Sequence, residues 1–209
     1  MALQIRIQPE RVRVVSNLQK SLADRADAAS NELKEIMVFL DNAWDGVASE
    51  VALESIESLL LMSRNLSSAI DNSADRLSAV ARIFEMADSN ESFSGIGIKP
   101  GVIVGPGGRP TFPSIILPKL VSVRIVPEEV REAGQRCVNM AAVYDDIISD
   151  FRASVDSLGE AWEGRAYSKY LEYFNELRGE LPTITEALND LSVSLIRAAN
   201  RFEELDNSL

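Results

Sequence analysis

Two short segments of the same pattern decide the fold of this 209-residue chain: Ala-Trp-Asp-Gly at residues 43–46 and Ala-Trp-Glu-Gly at residues 161–164. They lie 118 residues apart, and the same offset aligns Ile-x-Pro-Glu at residues 7–10 with Ile-x-Pro-Glu at residues 125–128. Further identical pairs at this offset are Arg6 and Arg124, Arg13 and Arg131, Leu53 and Leu171, Phe84 and Phe202, Glu85 and Glu203, and Asp88 and Asp206. One register kept without a gap across all these pairs indicates an internal duplication.

Each copy carries the pattern of two long amphipathic helices that meet at its Trp-x-Gly segment. Pro9 and Pro127 are each followed by glutamate, which is typical of a first helical turn. Small or apolar residues then recur at four- and three-residue steps, a spacing that predicts a buried seam. In the first helices these are Val15, Leu18, Leu22, Ala26, Ala29, Leu33, Ile36 and Leu40, and Val130, Gly134, Cys137, Ala141, Tyr144, Ile148, Phe151, Val155, Leu158 and Trp162. In the second helix of the first copy they are Ile56, Leu60, Ser63, Ser67, Ile70, Ala74, Leu77, Ala81 and Phe84. In the second copy the corresponding residues are Phe174, Leu181, Leu188 and Leu195, at steps of seven, followed by Ala199 and Phe202.

These patterns predict an all-α protein, in which two helix-turn-helix hairpins pack antiparallel into a single-chain four-helix bundle. Residues 1–88 form the first hairpin, residues 89–120 a Pro/Gly-rich linker and residues 121–209 the second hairpin. Seven prolines and glycines between Lys99 and Pro110 exclude a helix from that part of the linker. Pro182 interrupts the fourth helix pattern after Gly179 and predicts a kink that the first copy lacks.

The length of the linker favours the antiparallel arrangement. A first helix from Pro9 to Asn42 is about 50 Å long, and antiparallel hairpins place the end of one copy and the start of the next at opposite poles. Residues 89–120 can reach about 100 Å when extended and can therefore cross that span. We expect Trp44 and Trp162 at opposite ends of the bundle, with the apolar segments Val102–Val104 and Ile115–Leu117 lying along it.

Charge and composition exclude several classes of function. The net charge is −11, from 21 basic and 32 acidic residues, which argues against a nucleic-acid partner. Both copies are acidic, so we expect them to associate through apolar faces. The first residues lack the apolar core of a signal peptide, and the longest apolar run, Leu59–Met62, is too short to span a bilayer.

The sequence gives no indication of catalysis, so we predict that the protein is not an enzyme and holds no cofactor or metal. It has no histidine, no phosphate-binding loop and no metal-ligand spacing. The sole cysteine, Cys137, occupies a seam position, which favours a small core residue over a nucleophile. Asp145, Asp146 and Asp150 are interpreted as solvated helix surface.

The combination of these motifs resembles the WXG family, the small early-secreted-antigen-like proteins of bacterial type VII secretion. Trp44 with Gly46, and Trp162 with Gly164, lie at the midpoint of hairpins of about ninety residues, each after an Ile-x-Pro-Glu helix start. The resemblance covers both copies and leaves out only the linker. It implies hairpins that pair antiparallel. Both tryptophans are interpreted as core residues that lock the turn, and the alternative is direct contact with a partner.

The resemblance also implies an export signal, Tyr-x-x-x-Asp/Glu, that is recognised by the secretion ATPase. The matching positions are Phe84 with Asp88, and Phe202 with Asp206. Both carry phenylalanine in place of tyrosine, which keeps the ring and the acid but removes the hydroxyl. The alternative is that each phenylalanine is a core residue of the seam.

The function expected from this resemblance is that of a non-enzymatic interaction protein. It would be a type VII secretion substrate, a fused equivalent of a WXG heterodimer, with the secretion ATPase and an effector protein as partners. It would be cytoplasmic before export and secreted without a cleavable signal peptide. One alternative is a cytosolic adaptor or chaperone that targets a larger effector to the secretion system. An alternative of another class is a membrane-active helical protein, against which the acidic surface counts.

We predict that the chain is a monomer in solution, because its two hairpins cover each other's apolar stripes. A hairpin on its own would expose its stripe and would dimerise or aggregate. Light scattering at low concentration should give the mass of one chain, and an obligate dimer would contradict this prediction.

Overall fold

The computed structural model of the chain describes residues 6–88 and 124–206, apart from the side chains of Ala87 and Asp88. The predictions for the linker, including the course of Val102–Val104 and Ile115–Leu117 along the bundle, lie outside the described residues. Within them the protein is all-α, as predicted, with two helical hairpins and two very short strand pairs.

Hairpin one, residues 6–88, consists of two long helices. Its elements are strand β1 (Arg6–Ile7), helix α1 (Pro9–Ala43), strand β2 (Trp44–Asp45) and helix α2 (Val47–Asp88). Pro9 is the first residue of α1, and Glu10 lies in its first turn. A proline is tolerated there because the first amide groups of a helix have no partner within it.

Hairpin two, residues 124–206, repeats this order with one interruption. Its elements are β3 (Arg124–Ile125), α3 (Pro127–Ser157), a 3₁₀ turn (Leu158–Glu160), β4 (Trp162–Glu163), α4 (Arg165–Arg178) and α5 (Thr183–Asp206). The interruption lies at Pro182, where the sequence predicts a kink. The helix in fact ends and begins again, because proline has no amide hydrogen to continue the ladder. The amides of Glu180 and Leu181 both bond to the Leu177 carbonyl, at 2.9 and 3.2 Å, and close α4.

The ten predicted seam residues from Val130 to Trp162, which lie on α3, the 3₁₀ turn and β4, are all buried. The predicted seam of α1 is wrong at one position. Leu18 is 46% exposed, whereas its neighbour Gln19 is fully buried. The step from Val15 to Gln19 and then to Leu22 keeps the same spacing, so the helix places a polar residue in its seam and an apolar residue outside it.

The contacts of the chain divide into two compact units, and each unit contains parts of both hairpins. Unit one comprises residues 6–26, 65–88 and 147–181, and unit two comprises residues 27–64, 124–146 and 182–206. Unit one therefore joins the open end of hairpin one to the turn of hairpin two, and unit two joins the turn of hairpin one to the open end of hairpin two. This is the predicted antiparallel arrangement.

A pair of two-residue strands ties the hairpins together in each unit. In unit one β1 pairs with β4, Ile7 lies opposite Trp162, and the Gln8 amide donates to the Ala161 carbonyl at 2.8 Å. In unit two β2 pairs with β3, Trp44 lies opposite Ile125, and the Val126 amide donates to the Ala43 carbonyl at 2.9 Å. The two sets of contacts are related by the offset of 118 residues, so the duplication extends to the hydrogen bonds.

Ion pairs between the hairpins lie at the rim of their apolar contact, although both hairpins are acidic. Arg25 bonds to Asp150 at 2.8 Å in unit one, and Arg136 bonds to Glu32 at 2.6 Å in unit two. Exposed pairs of this kind contribute about 0–1 kcal/mol each. The buried apolar side chains therefore dominate the association, as we expect from the charges.

The helices within each hairpin approach closely at one repeated position. Ser16 donates a hydrogen bond to the carbonyl of Ala74 on the neighbouring helix at 2.7 Å. The equivalent residue of hairpin two is Gly134. A Cβ atom added to Gly134 would lie 2.9 Å from Ile196 Cγ1 and 3.3 Å from the carbonyl oxygen of Ser192. Gly134 therefore allows α3 and α5 to approach at the point where Ser16 bridges α1 and α2.

We predict that Gly134→Ala lowers the free energy of unfolding. Overpacking in a dense core costs about 1–3 kcal/mol, and the gain in helix propensity of up to about 1 kcal/mol offsets it only in part. Gly179→Ala is the control, because a Cβ at that position has no atom within 4 Å and its backbone is right-handed. Urea denaturation should show a loss for Gly134→Ala and little change for Gly179→Ala, and a more stable Gly134→Ala variant would contradict the close approach.

Candidate functional site

The two Trp-x-Gly turns have the same backbone geometry. Gly46 has φ of 135° and Gly164 has φ of 121°, a region that residues with a Cβ atom rarely adopt. The carbonyl of each glycine then accepts hydrogen bonds from the first turn of the following helix. The Ser49 amide reaches Gly46 at 2.9 Å, and the Ser168 amide reaches Gly164 at 3.1 Å. The glycine therefore reverses the chain and starts the next helix.

The tryptophan of each turn is buried, with 1% of Trp44 and 2% of Trp162 exposed. Neither indole Nε1 atom has a hydrogen-bond partner in the described part of the chain. Both rings therefore lie packed in the interior of the fold.

In unit two the first residue of a candidate export segment packs on the turn of the other hairpin. The ring of Phe202 contacts Trp44 edge to face, with 6.5 Å between centroids and an angle of 77°. Such pairs contribute about 0.5–1.5 kcal/mol beyond the buried area. Phe202 is half-buried and Asp206 is exposed, so the packed ring leaves the acid of the segment in solvent.

In unit one the equivalent turn has a different environment. Trp162 contacts Tyr167 and Tyr170, with 5.6 and 5.9 Å between ring centroids. Phe84 is half-buried and lines an open cleft of about 560 Å³ together with Trp162, Gly164, Arg165 and Lys169. Phe84 and Trp162 correspond to Phe202 and Trp44 of unit two. The open cleft therefore lies at the position equivalent to the Trp44–Phe202 ring contact. The side chain of Asp88 lies outside the described residues.

An ion pair that the sequence analysis missed precedes each candidate acid. Arg13 pairs with Glu85, and Arg131 pairs with Glu203 at 2.6 Å. The four residues align at the offset of 118, and this repeated pairing of opposite charges is a signal that the sequence already contains. Both pairs fasten the last helix of a hairpin to its first helix, close to the candidate export segments.

Burial raises the pKa of the Cys137 thiol to about 12, and the charge of Arg136 offsets this only in part, so the thiol stays protonated at neutral pH. No group of three or more His, Cys, Asp or Glu residues within 6–88 and 124–206 could hold a metal ion. Asp145, Asp146 and Asp150 are exposed, as expected for a solvated helix face.

None of the described helices combines the length and the apolar character that a membrane-spanning segment needs.

We predict that Trp162→Ala lowers the free energy of unfolding by about 3–5 kcal/mol, the usual range for truncating a buried aromatic residue, and that Trp44→Ala has a similar effect. Trp162→Phe should lose much less, because the indole N–H makes no hydrogen bond that phenylalanine would remove. Thermal or chemical denaturation measures both variants. Equal losses for the alanine and phenylalanine variants would show that the indole N–H makes a polar contact that stabilises the fold.

Comparisons with known proteins agree with this geometry. Residues 122–207 match the family model described as WXG100, proteins of 100 residues with WXG. The chain is 24% identical over 90 residues to the "Type VII secretion system extracellular protein A" of Staphylococcus aureus strains USA300 and Newman, a match that covers 43% of this chain and 93% of each relative. No solved structure gives a significant match. The second hairpin, matched over residues 122–207, therefore resembles WXG100 proteins, and the first hairpin is built on the same elements.

Proposed function

We propose that this chain is itself a type VII secretion substrate, and that its two hairpins replace the two separate subunits of a WXG heterodimer. The observation that carries the proposal is the reciprocal strand pairing. The open end of each hairpin bonds to the Trp-x-Gly turn of the other, through Ile7 opposite Trp162 and Trp44 opposite Ile125. One chain therefore completes both turn regions.

Fusion has a thermodynamic consequence that supports this function. Two hairpins on one chain meet at an effective concentration that is set by the segment joining them and does not fall when the protein is diluted. Separate subunits at cellular concentrations would need a tighter interface for the same occupancy. A fused substrate stays paired when it is dilute, as it would be outside the cell.

We propose that Phe202 and Asp206 form the export signal, with Phe84 and Asp88 as a secondary candidate, and that the secretion ATPase is the partner. The family match covers residues 122–207 and hence the first of these pairs. Asp206 is exposed, and the Glu203–Arg131 pair holds the preceding turn of α5 against α3. An exposed carboxylate on a fixed helix turn suits a charge-assisted hydrogen bond to a partner.

The activity that we propose is binding, without catalysis. The only cysteine is buried and protonated. The apolar side chains and the turn residues serve the pairing of the hairpins. An effector protein would be a second partner, bound by a surface of the completed pair.

We predict that Asp206→Ala lowers the amount of protein exported from the native host by about tenfold, the effect of losing one charge-assisted hydrogen bond. Glu204→Ala is the matched control, because Glu204 is also an exposed acid of the same helix turn. Immunoblots of cells and medium give the export ratio, and thermal denaturation checks that both variants fold alike.

Asp88→Ala tests the other segment in the same assay, and its effect should be smaller. If Asp88→Ala abolished export while Asp206→Ala left it unchanged, the assignment of the signal would be wrong. If the wild-type chain remained in the cells and co-purified with an exported protein, it would be the adaptor and not the substrate.

A further inference from the structure

A closed set of hydrogen bonds lies in the core of unit one, and we call it the Gln19 network: Gln19, Ser73, Ser154 and Tyr170. These residues come from α1, α2, α3 and α4 in turn, and all four are buried. Gln19 and Ser73 belong to hairpin one, whereas Ser154 and Tyr170 belong to hairpin two. The network therefore crosses the interface between the hairpins.

The donors and acceptors of the network satisfy one another. Gln19 Nε2 donates to Ser154 Oγ at 3.0 Å and to Tyr170 Oη at 3.2 Å. Ser73 Oγ donates to Gln19 Oε1 at 2.8 Å, so the Tyr170 hydroxyl donates to Ser73 Oγ, also at 2.8 Å. Ser154 Oγ donates to the Phe151 carbonyl at 2.7 Å. Burial raises the pKa of the Tyr170 hydroxyl, which keeps it a donor.

The duplication places apolar residues at the four equivalent positions. The offset of 118 residues relates Gln19 to Cys137, Ser73 to Leu191, Ser154 to Ile36 and Tyr170 to Ala52. All four of these residues are buried in unit two. Each hairpin therefore carries half of the polar set at one end of its pairing face and an apolar set at the other.

A pair of identical hairpins could not build this network. Two copies of hairpin one would place Gln19 and Ser73 against the positions of Ile36 and Ala52. Two copies of hairpin two would place Ser154 and Tyr170 against those of Cys137 and Leu191. Buried donors and acceptors would then lack partners, and an unmade buried hydrogen bond costs far more than a made one contributes.

A second hydrogen bond between the hairpins also has no counterpart at the equivalent positions. In unit two the Tyr144 hydroxyl donates to Ser63 Oγ at 2.5 Å, and both residues are buried. The equivalent positions hold Ala26 and Leu181. A pair of second hairpins would set the Tyr144 hydroxyl against leucine.

We propose that the Gln19 network, supported by the Tyr144–Ser63 bond, determines which partner a hairpin accepts: each hairpin pairs with the other copy and rejects its own kind. A second copy of this chain can then associate through its pairing faces only by exchanging unlike hairpins. Single buried polar residues specify partner and register in coiled coils in the same way, at some cost in stability.

The first test is a cycle of near-isosteric changes in the full chain. Gln19→Met with Ser73→Ala removes the polar half of hairpin one, and Ser154→Ala with Tyr170→Phe removes that of hairpin two. Each half change removes the partners of the other half across the interface and should raise the unfolding equilibrium constant by about 10- to 100-fold. The combined variant, apolar throughout, should lose no more than either half change alone. Losses that multiply in the combined variant would overturn the proposal.

The second test reads out the partner directly by disulfide cross-linking of full chains refolded together at high concentration. In the native strand pairs Arg6 lies opposite Glu163, and Asp45 lies opposite Arg124. A pair of first hairpins would instead place Arg6 of one chain opposite Asp45 of the other. Arg6→Cys with Asp45→Cys therefore reports like pairs, and Arg6→Cys with Glu163→Cys is the matched reporter of unlike pairs. Oxidation starts after refolding is complete, when the native Cys137 is buried.

With the Gln19 network intact, the like-pair reporter should give almost no covalent dimer and the unlike-pair reporter should cross-link efficiently. In the combined variant the like-pair reporter should give several-fold more covalent dimer. If that variant refolds poorly, Tyr170→Phe alone provides a milder comparison with the same expected direction. Equal yields of like-pair dimer with and without the network would show that the network has no role in the choice of partner.

Discussion

The backbone hydrogen bonds between the start of one hairpin and the turn of the other are the constraint on which the rest of this structure depends. A Trp-x-Gly turn with its glycine at positive φ leaves a short extended segment beside the buried indole. The polar backbone of such a segment needs partners, as every buried amide and carbonyl does. Those partners are residues 6–8 and 124–126 of the opposite hairpin. The antiparallel direction follows, because only that direction brings an open end to a turn.

The helices and their seams could be predicted because burial imposes a period that a single sequence displays. The seam of α3 shows this from Val130 to Trp162. The prediction was wrong at Leu18 for a physical reason: Gln19 can enter the core only because three side chains from other helices satisfy it. Those partners lie more than fifty residues away along the chain. The spacing of apolar residues within α1 carries no information about them. The four strands were also missed, since two residues of extended backbone give no alternation to detect.

The residues of the candidate site could be predicted from the sequence, but the side chains that surround each tryptophan could not. Trp44 and Trp162 share a motif, yet one packs on Phe202 while the other contacts two tyrosines and borders an open cleft with Phe84. The difference comes from residues that the duplication did not preserve. Arg165 and Lys169 stand where the first copy has Val47 and Val51. The two copies keep the same strand pairing, whereas the surfaces around their turns differ.

The break at Pro182 has a consequence for how the protein opens. Helix α2 runs through 42 residues without interruption, whereas the matching length of hairpin two is divided into α4, with 14 residues, and α5, with 24. Helix formation is cooperative, so an unbroken ladder resists partial melting and a divided one can lose a segment at a time. Native-state hydrogen exchange would therefore resolve hairpin two into separately protected segments. Helix α4, which begins at the second Trp-x-Gly turn, is then a segment that can open without α5.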